Sequence, residues 1–364
     1  MYIWEQPDWP RFRWDDSALI SALAEARLKQ GRLLGRMRGL GFDLQLEAQL
    51  QSLTGDVIKS SEIEGEILDE AGVRSSLARR LGVPQAAVTP ADRRTEGVVG
   101  MMLDATGRYD QRLTPERLFA WQAALFPTGY SGLNRIKTGG WREDSTGPMQ
   151  VISGAVGRER VHFEAPPAAR VAVEMAAFLD DFARDIPVDG LLRAGVAHLW
   201  FVTIHPFDDG NGRIARAIAD QALARSEGAP QRFYSLSSQI RRERSDYYEA
   251  LERAQHGGLD ITGWLAWFLG SFSRAIDAAE AESDGVMRKA AFWQAHAGTA
   301  LSERQRVMLN RYLDGFDGAL TARKWAILGK CSPASAQRDI ADLLAKGLLT
   351  RNPGGSKNTS YALA

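Results

Sequence analysis

The most informative stretch of this chain is HPFDDGNGRIAR, residues 205–216. The apolar run GVAHLWFVTI leads into it and predicts a helix that ends near His205, and a second helix is predicted after the Gly-Asn-Gly turn. Glycines let a backbone approach an anion closely, and the first amides of a helix have no internal acceptors. The stretch therefore predicts a phosphate-binding loop at a helix N-terminus.

The side chains of the same stretch suit phosphate chemistry. Arg213 carries a planar fork of donors, and Arg216 follows three residues later on the same flank of the predicted helix. Asp208 and Asp209 offer hard oxygen ligands for Mg²⁺, which commonly uses one carboxylate plus substrate phosphates. His205 can accept a proton near neutral pH, as activation of a hydroxyl requires. Each residue alone is more often structural, but their combination predicts an active site.

The composition limits what else the protein does. Its 364 residues predict two or three domains, and 45 basic residues against 45 acidic ones argue against a surface that binds nucleic acid throughout, although a local basic patch stays open. The single cysteine, Cys331, excludes an internal disulfide and a zinc site built from cysteines. No apolar run approaches the roughly 18 residues of a membrane span, and the first residues lack a secretory signal pattern. We therefore expect a cytoplasmic protein with no membrane partner.

Apolar residues at three- and four-residue spacing predict a mostly α-helical chain. Helices are predicted over 17–38 (with Ser17 as its cap), 43–53, 56–71, 91–106, 115–125, 167–184, 190–204, 212–227, 241–255 and 261–280. Between Trp141 and Pro167 the segments MQVISG and RVHFE alternate around a Gly-containing turn, which predicts a β-hairpin.

The C-terminal residues, 299–364, have a different pattern. Three helices followed by two strands around a Gly-Gly turn predict a winged helix-turn-helix, with 281–298 as the connector. Residues 300–364 hold ten Lys and Arg against five Asp and Glu. Arg338, Arg351 and Lys357 could contact DNA phosphates, whereas Asp339 and Asp342 are expected to dilute the charge of the second helix of the motif. DNA and protein therefore stay open as partners of this domain.

The stretch 205–216 resembles the motif HxFx(D/E)GNGRxxR of the Fic (filamentation induced by cAMP) family, with every defined position filled. The resemblance implies a mostly α fold, namely a Fic-fold helical bundle with a β-hairpin flap, plus the C-terminal winged helix. It also implies an N-terminal helical domain at 1–85 and a catalytic core at 86–280. The implied activity is transfer of AMP from ATP, with Mg²⁺, to a Ser, Thr or Tyr hydroxyl of a protein.

The resemblance also implies roles for single residues. His205 resembles the base, Phe207 the core anchor of the loop and Asp209, rather than Asp208, the Mg²⁺ ligand. Arg213 resembles the residue that steadies the phosphates in the transition state, and Arg216 resembles the partner of the γ-phosphate. The implied ATP-binding residues are Gly210, Asn211, Gly212, Arg213, Ile214, Ala215, Arg216, Tyr247, Gln255 and, in the flap at 149–164, Val161 and His162.

A second motif concerns regulation. Residues 60–65, SSEIEG, resemble the inhibitory pattern (S/T)xxxE(G/N) of the same family, with Ser60, Glu64 and Gly65 in place. On a helix Ser60 and Glu64 share a face, so we expect the serine to help direct the carboxylate. A carboxylate presented to Arg216 would occupy the place of the γ-phosphate and leave ATP misaligned for attack at its α-phosphate.

Several alternatives stay open. A phosphate-transferring relative of the Doc type typically carries Lys where Gly212 stands, so the sequence disfavours it. Removal of AMP, with Glu64 positioning water, is a further enzymatic alternative. A DNA-binding regulator whose Fic domain only senses nucleotide is an alternative of another class. Besides ATP, the expected partners are a target protein, which could be a second copy of this chain, and DNA at 299–364; a homodimer is left open.

Overall fold

The computed structural model describes residues 1–84, 88–144, 147–154, 158, 160–313, 318–353 and 359–364. The chain divides into two compact units, Met1–Ala279 and Glu280–Ala364. None of the described helices is long and apolar enough to span a membrane.

The first unit is built from helices and two short strand pairs. Its helices are α1 (Asp16–Arg38), α2 (Phe42–Ile63), α3 (Glu70–Leu81), α4 (Arg93–Gly107), α5 (Pro115–Leu125), α6 (Ala168–Ala183), α7 (Gly190–Ile204), α8 (Asn211–Glu227), α9 (Leu236–Arg242), α10 (Arg244–Gln255) and α11 (Thr262–Ala295), the last running on into the second unit. Between α5 and α6, β1 (Tyr130–Ser131) pairs with β2 (Asn134–Arg135), and β3 (Gln150–Ser153) pairs antiparallel with β4 (Arg160–Glu164). The predicted hairpin is therefore confirmed.

Helices α7 and α8 lie at the centre of this unit. Almost every residue of α7 is buried, which explains why its sequence is apolar all round rather than amphipathic. One hydrophobic core contains residues from Ile3 to Ala279, so the segments 1–85 and 86–280 share it. This arrangement places the loop between α7 and α8 against elements from the whole unit.

The structure differs from the sequence predictions at several elements: α3 was not predicted, the predicted helix 241–255 is interrupted at Glu243, and α1 and α2 differ as follows. Helix α1 is capped by Asp15, whose side chain accepts from the N–H of Ser17 at 2.9 Å, so the prediction of Ser17 as cap is wrong. The predicted helices 43–53 and 56–71 form the single helix α2, which ends at Ile63. It ends there because Gly65 adopts φ +82°, a left-handed conformation that glycine takes without steric cost.

The second unit contains α12 (Glu303–Leu313), α13 (Ala322–Leu328), α14 (Pro333–Ala345) and the strands β5 (Leu320–Thr321), β6 (Leu349–Arg351) and β7 (Ser360–Leu363). The strands form an antiparallel sheet in the order β5-β7-β6. Trp325, Leu309 and Ile340 are among the residues of its separate core. The expected connector, 281–298, is helical as far as Ala295. Lys357 and the Gly-Gly turn lie outside the described residues.

Candidate active site

The proposed base, His205, terminates α7 in a left-handed conformation with φ 51°. Its Nδ1 lies 3.1 Å from the Val202 carbonyl oxygen. Because a carbonyl can only accept, Nδ1 carries the proton and Nε2 keeps its lone pair. Burial lowers the pKa of His205 below its ordinary value, which favours the neutral ring. His205 is therefore a neutral imidazole with Nε2 available as a proton acceptor.

The loop after His205 is held by Asn211 and Phe207. The Asn211 side chain accepts from the Phe207 N–H at 3.0 Å and donates to the Phe207 carbonyl at 2.8 Å. Phe207 is fully buried and packs on Trp141, with ring centroids 5.3 Å apart. The Asn211 side chain therefore shapes the loop, and the anion-binding group that this residue can offer is its backbone N–H at the start of α8.

A residue that the sequence did not single out, Arg142, holds the same loop from the other side. Its Nε donates to the His205 carbonyl at 2.8 Å, and its backbone N–H donates to the Pro206 carbonyl at 2.9 Å. Its NH1 pairs with Asp144 at 2.6 Å. The only sequence signal was its place just before the predicted hairpin. Arg142 fixes the backbone that carries the base.

The two aspartates of the loop have different partners. Asp209 accepts from the Ser131 hydroxyl and, at 2.6 Å, from the Gly210 N–H, whereas Asp208 accepts from the Lys137 N–H at 2.7 Å. Each carboxylate oxygen has further acceptor capacity. The described residues hold no cluster of three metal-ligating side chains. A single hard oxygen donor suits Mg²⁺ only in company with substrate phosphates, so Asp209 fits the ion as part of a nucleotide complex.

Arg216 is almost completely buried and is held by the end of α2. Its NH2 donates to Glu64 at 2.8 Å, and its Nε and NH2 donate to the hydroxyl and carbonyl of Ser60 at 2.9 and 2.8 Å. The expectation that Ser60 directs the Glu64 carboxylate is wrong, since its Oγ accepts from Arg216. Ser60 therefore positions the arginine.

Arg213 is paired with Glu66, a carboxylate that the sequence analysis did not select. The Arg213 NH1 donates to Glu66 at 2.6 Å, and the guanidinium lies 5.0 Å from the centroid of the Phe126 ring. Only 1% of the Arg213 side chain is exposed, and its Nε has no partner among the described residues. The two arginines of the motif are thus each bound by a carboxylate from the same turn of chain.

The glycines explain how this turn reaches α8. The N–H of Glu66 donates to the Ser61 carbonyl at 3.0 Å across Gly65, which is the helix-ending arrangement that a left-handed glycine permits. A Cβ at Gly212 would overlap the Glu64 carboxylate. Gly65 therefore reverses the chain so that Glu64 and Glu66 both face α8, and Gly212 leaves room for Glu64.

The residues expected near adenine lie between α7 and α10. The buried Tyr247 hydroxyl is 2.9 Å from Nε2 of His198, and Gln255 donates to the Thr203 hydroxyl at 3.3 Å. Burial lowers the pKa of His198 to about 3, so this ring is neutral. Ile214 and Ala215 are also fully buried, which places their side chains in the core.

The flap residues have their own contacts. The Val161 side chain is exposed, and His162 lies between Ser153 and Glu252, with Nε2 at 2.6 Å from the Ser153 hydroxyl and Nδ1 at 2.9 Å from Glu252. Arg160 also pairs with Glu252 at 2.7 Å. Glu252 therefore fastens the flap to α10. Contacts of Val161 and His162 with a nucleotide stay predictions.

Comparison with known proteins supplies the family. Residues 112–223 match the model of the Fic/DOC family, and residues 2–83 match a domain of unknown function (DUF4172). The chain therefore contains a Fic domain. A Fic family protein from Desulfovibrio desulfuricans matches with a TM-score of 0.54 and 21% identity, over 95% of this chain and 96% of that one. A Fic domain containing signaling protein from Bacteroides thetaiotaomicron gives 0.52 and 18%, over 72% of this chain and 98% of that one. These likenesses confirm the expected mostly helical Fic fold.

The curated relatives that this Fic domain protein matches are named protein adenylyltransferases. The one from Nematostella vectensis is 39% identical over 85 residues, which is 23% of this chain and 18% of the relative. The one from Caenorhabditis elegans is 29% identical over 129 residues, or 34% of this chain and 24% of the relative. The matches thus span less than a quarter of these relatives' length.

Proposed function

We propose that this Fic domain protein is a protein adenylyltransferase that transfers AMP from ATP to a Ser, Thr or Tyr hydroxyl, and that Glu64 inhibits it. The observation that carries the proposal is a neutral His205, whose Nε2 has no hydrogen-bond partner among the described residues, beside the start of a helix that carries two buried arginines. This combination suits attack of a hydroxyl on a phosphate.

The chemistry follows from the positions of these groups. Nε2 of His205 takes the proton of the target hydroxyl, and the hydroxyl oxygen bonds to the α-phosphorus of ATP. The bond from that phosphorus to the bridging oxygen of the β-phosphate breaks, and pyrophosphate leaves. The first amides of α8 and the Arg213 guanidinium stabilise the charge that develops on the phosphate oxygens. Asp209 and the phosphates would hold Mg²⁺, which would supply positive charge next to the leaving group.

The inhibited state follows from the pairing of both arginines. Glu64 occupies Arg216, and Glu66 occupies Arg213, at 2.8 and 2.6 Å. A phosphate and a carboxylate compete for the same guanidinium fork. ATP could enter while these pairs persist, but its γ-phosphate would lack Arg216 and be misaligned for attack. We infer that Glu66 restrains Arg213 in addition to the restraint that Glu64 exerts on Arg216.

Mass spectrometry of lysate proteins after incubation with ATP and Mg²⁺ tests the proposal. We expect the Glu64→Gly variant to add AMP to hydroxyl side chains, on target proteins or on itself. The same variant with His205→Ala should add none while still binding ATP, because the imidazole acts on the hydroxyl and not on the nucleotide. Absence of AMP on every protein, with folded Glu64→Gly, would contradict the proposal. Loss of AMP from a modified protein would favour the AMP-removing alternative.

A further inference from the structure

The C-terminal part of the second unit has more basic than acidic residues. Residues 318–364 contain seven Lys and Arg but only two acidic residues, Asp339 and Asp342. Asp339 is buried and accepts from Arg304 at 2.6 and 3.0 Å, and Asp342 pairs with Lys346 at 2.6 Å. Each acid is paired with a basic side chain, Asp339 with Arg304 and Asp342 with Lys346, so each cancels one positive charge near α14.

The exposed face of α14 is suited to close contact with a groove. After Pro333 its exposed residues recur at three- and four-residue spacing and comprise Ala334, Gln337, Arg338, Ala341 and Ala345. The alanines allow the helix backbone to approach a surface closely. Gln and Arg are the side chains that bind the major-groove edges of adenine and guanine with paired hydrogen bonds. Asp342 lies beside this face, with 43% of its side chain exposed, and it pairs with Lys346 at 2.6 Å.

Basic side chains surround this face. Two surface grooves flank α14, and both are lined by Arg323 and Gln337. Lys330 lines one of them and Arg351 of β6 lines the other. Within the part of the chain that the structure describes, the side chains of Arg323, Lys330 and Arg351 have no ion-pair partner. They present unneutralised positive charge on three elements around one helix.

We propose that α14 and the basic side chains around it bind double-stranded DNA, with α14 in the major groove and Arg323, Lys330 and Arg351 on the phosphates. A helix with side chains is about 10–12 Å across, and the B-DNA major groove is about 12 Å wide. The major groove of duplex RNA is too deep and narrow for such a helix. The order of a helix, a turn before it and a strand pair after it is the order that the sequence analysis predicts for a winged helix-turn-helix.

The test is fluorescence anisotropy of the full chain with a labelled random-sequence DNA duplex between 50 and 200 mM NaCl. Three phosphate contacts predict a slope of log K against log salt of about −3 and a dissociation constant on the order of 10⁻⁵ M. The variant R323Q/R351Q should reduce the slope to about −1 and lower the affinity by roughly 50-fold at 0.1 M salt.

The matched control is R306Q/R311Q. It removes the same charge from α12, which lines neither groove, and should change the affinity by no more than about 3-fold at the same salt, as expected for charges that contact no phosphate. Absence of duplex binding at 50 mM NaCl would overturn the proposal. So would equal losses in the two double variants, both folded by circular dichroism, or tighter binding of an RNA duplex of the same sequence.

Discussion

Replacement of Glu64 by glycine separates an inhibitory contact from a structural one. Arg216 donates to Glu64 at 2.8 Å, and it also donates to the hydroxyl and carbonyl of Ser60 at 2.9 and 2.8 Å. The bonds to Ser60 remain in Glu64→Gly, so the arginine keeps its place while the position of the carboxylate becomes free for a phosphate. We therefore expect the initial rate of AMP transfer to rise.

The size of the rise follows from the environment of the pair. Arg216 is 1% exposed and Glu64 is 29% exposed, so the contact is shielded on one side only. The freed Arg216 can instead donate to the γ-phosphate, and a hydrogen bond to a charged group contributes about 1.5–3 kcal/mol. Each 1.4 kcal/mol of barrier is about a factor of ten in rate, so we expect an increase of about 10- to 100-fold. The free energy of unfolding should fall by only about 1 kcal/mol.

The assay is the initial rate of label incorporation from ATP labelled at its α-phosphate, into the protein itself or a target. Glu62→Gln is the matched control, because Glu62 lies in the same helix but pairs with Lys59 at 2.7 Å and with Arg241 at 3.3 Å. Its rate should equal that of the unaltered protein. Glu64→Gly combined with Arg216→Ala should not be accelerated, since the liberated partner is then missing.

Two results would refute the reasoning. An unchanged or lower rate in Glu64→Gly, with the fold intact by circular dichroism, would mean that SSEIEG only forms a helix end. An equal acceleration in Glu62→Gln would mean that loosening of α2, and not release of Arg216, causes the effect.

Three further predictions concern neighbouring groups. Glu66→Gln keeps the size of the side chain but removes its charge and so weakens the pairing with Arg213 by about 1 kcal/mol. The rate of AMP transfer should therefore rise about 3- to 10-fold. A slower variant would show that Glu66 aids catalysis. Asp209→Ala should abolish Mg²⁺-dependent transfer, whereas Asp208→Ala should retain most of it; the reverse order would assign the metal to Asp208. The pKa of His198, lowered to about 3 from 6.5, makes the unfolded chain bind its proton first as the pH falls. The free energy of unfolding should therefore fall by about 1.4 kcal/mol per pH unit below pH 6.5. Chemical denaturation of His198→Gln should show a smaller dependence of this free energy on pH. An equal dependence in that variant would contradict the buried neutral ring.

Much of the site could be predicted because it depends on local sequence. The loop after α7 needs glycines and the start of a new helix, and both can be recognised within the twelve residues 205–216. The hairpin follows from two-residue alternation around a glycine turn. The prediction of two helices in place of α2 was wrong, because the spacing of apolar residues does not show that residues 54–56 are buried and continue the helix. It also does not show that Gly65 ends the helix.

The sequence by itself determined the glycine-containing loop after α7, the histidine before it and the helix end at SSEIEG, since side-chain spacing and glycine conformation act over a few residues. Only the tertiary structure decided which group each arginine meets. Arg213 donates to Glu66, which lies 147 positions away in the sequence, and Arg216 donates to Ser60, which lies 156 positions away. Arg142 donates to the His205 carbonyl, 63 positions away. Such pairs form because packing of α2 and the flap region around α8 buries charges that must then be neutralised, and which charges are buried together depends on the whole core.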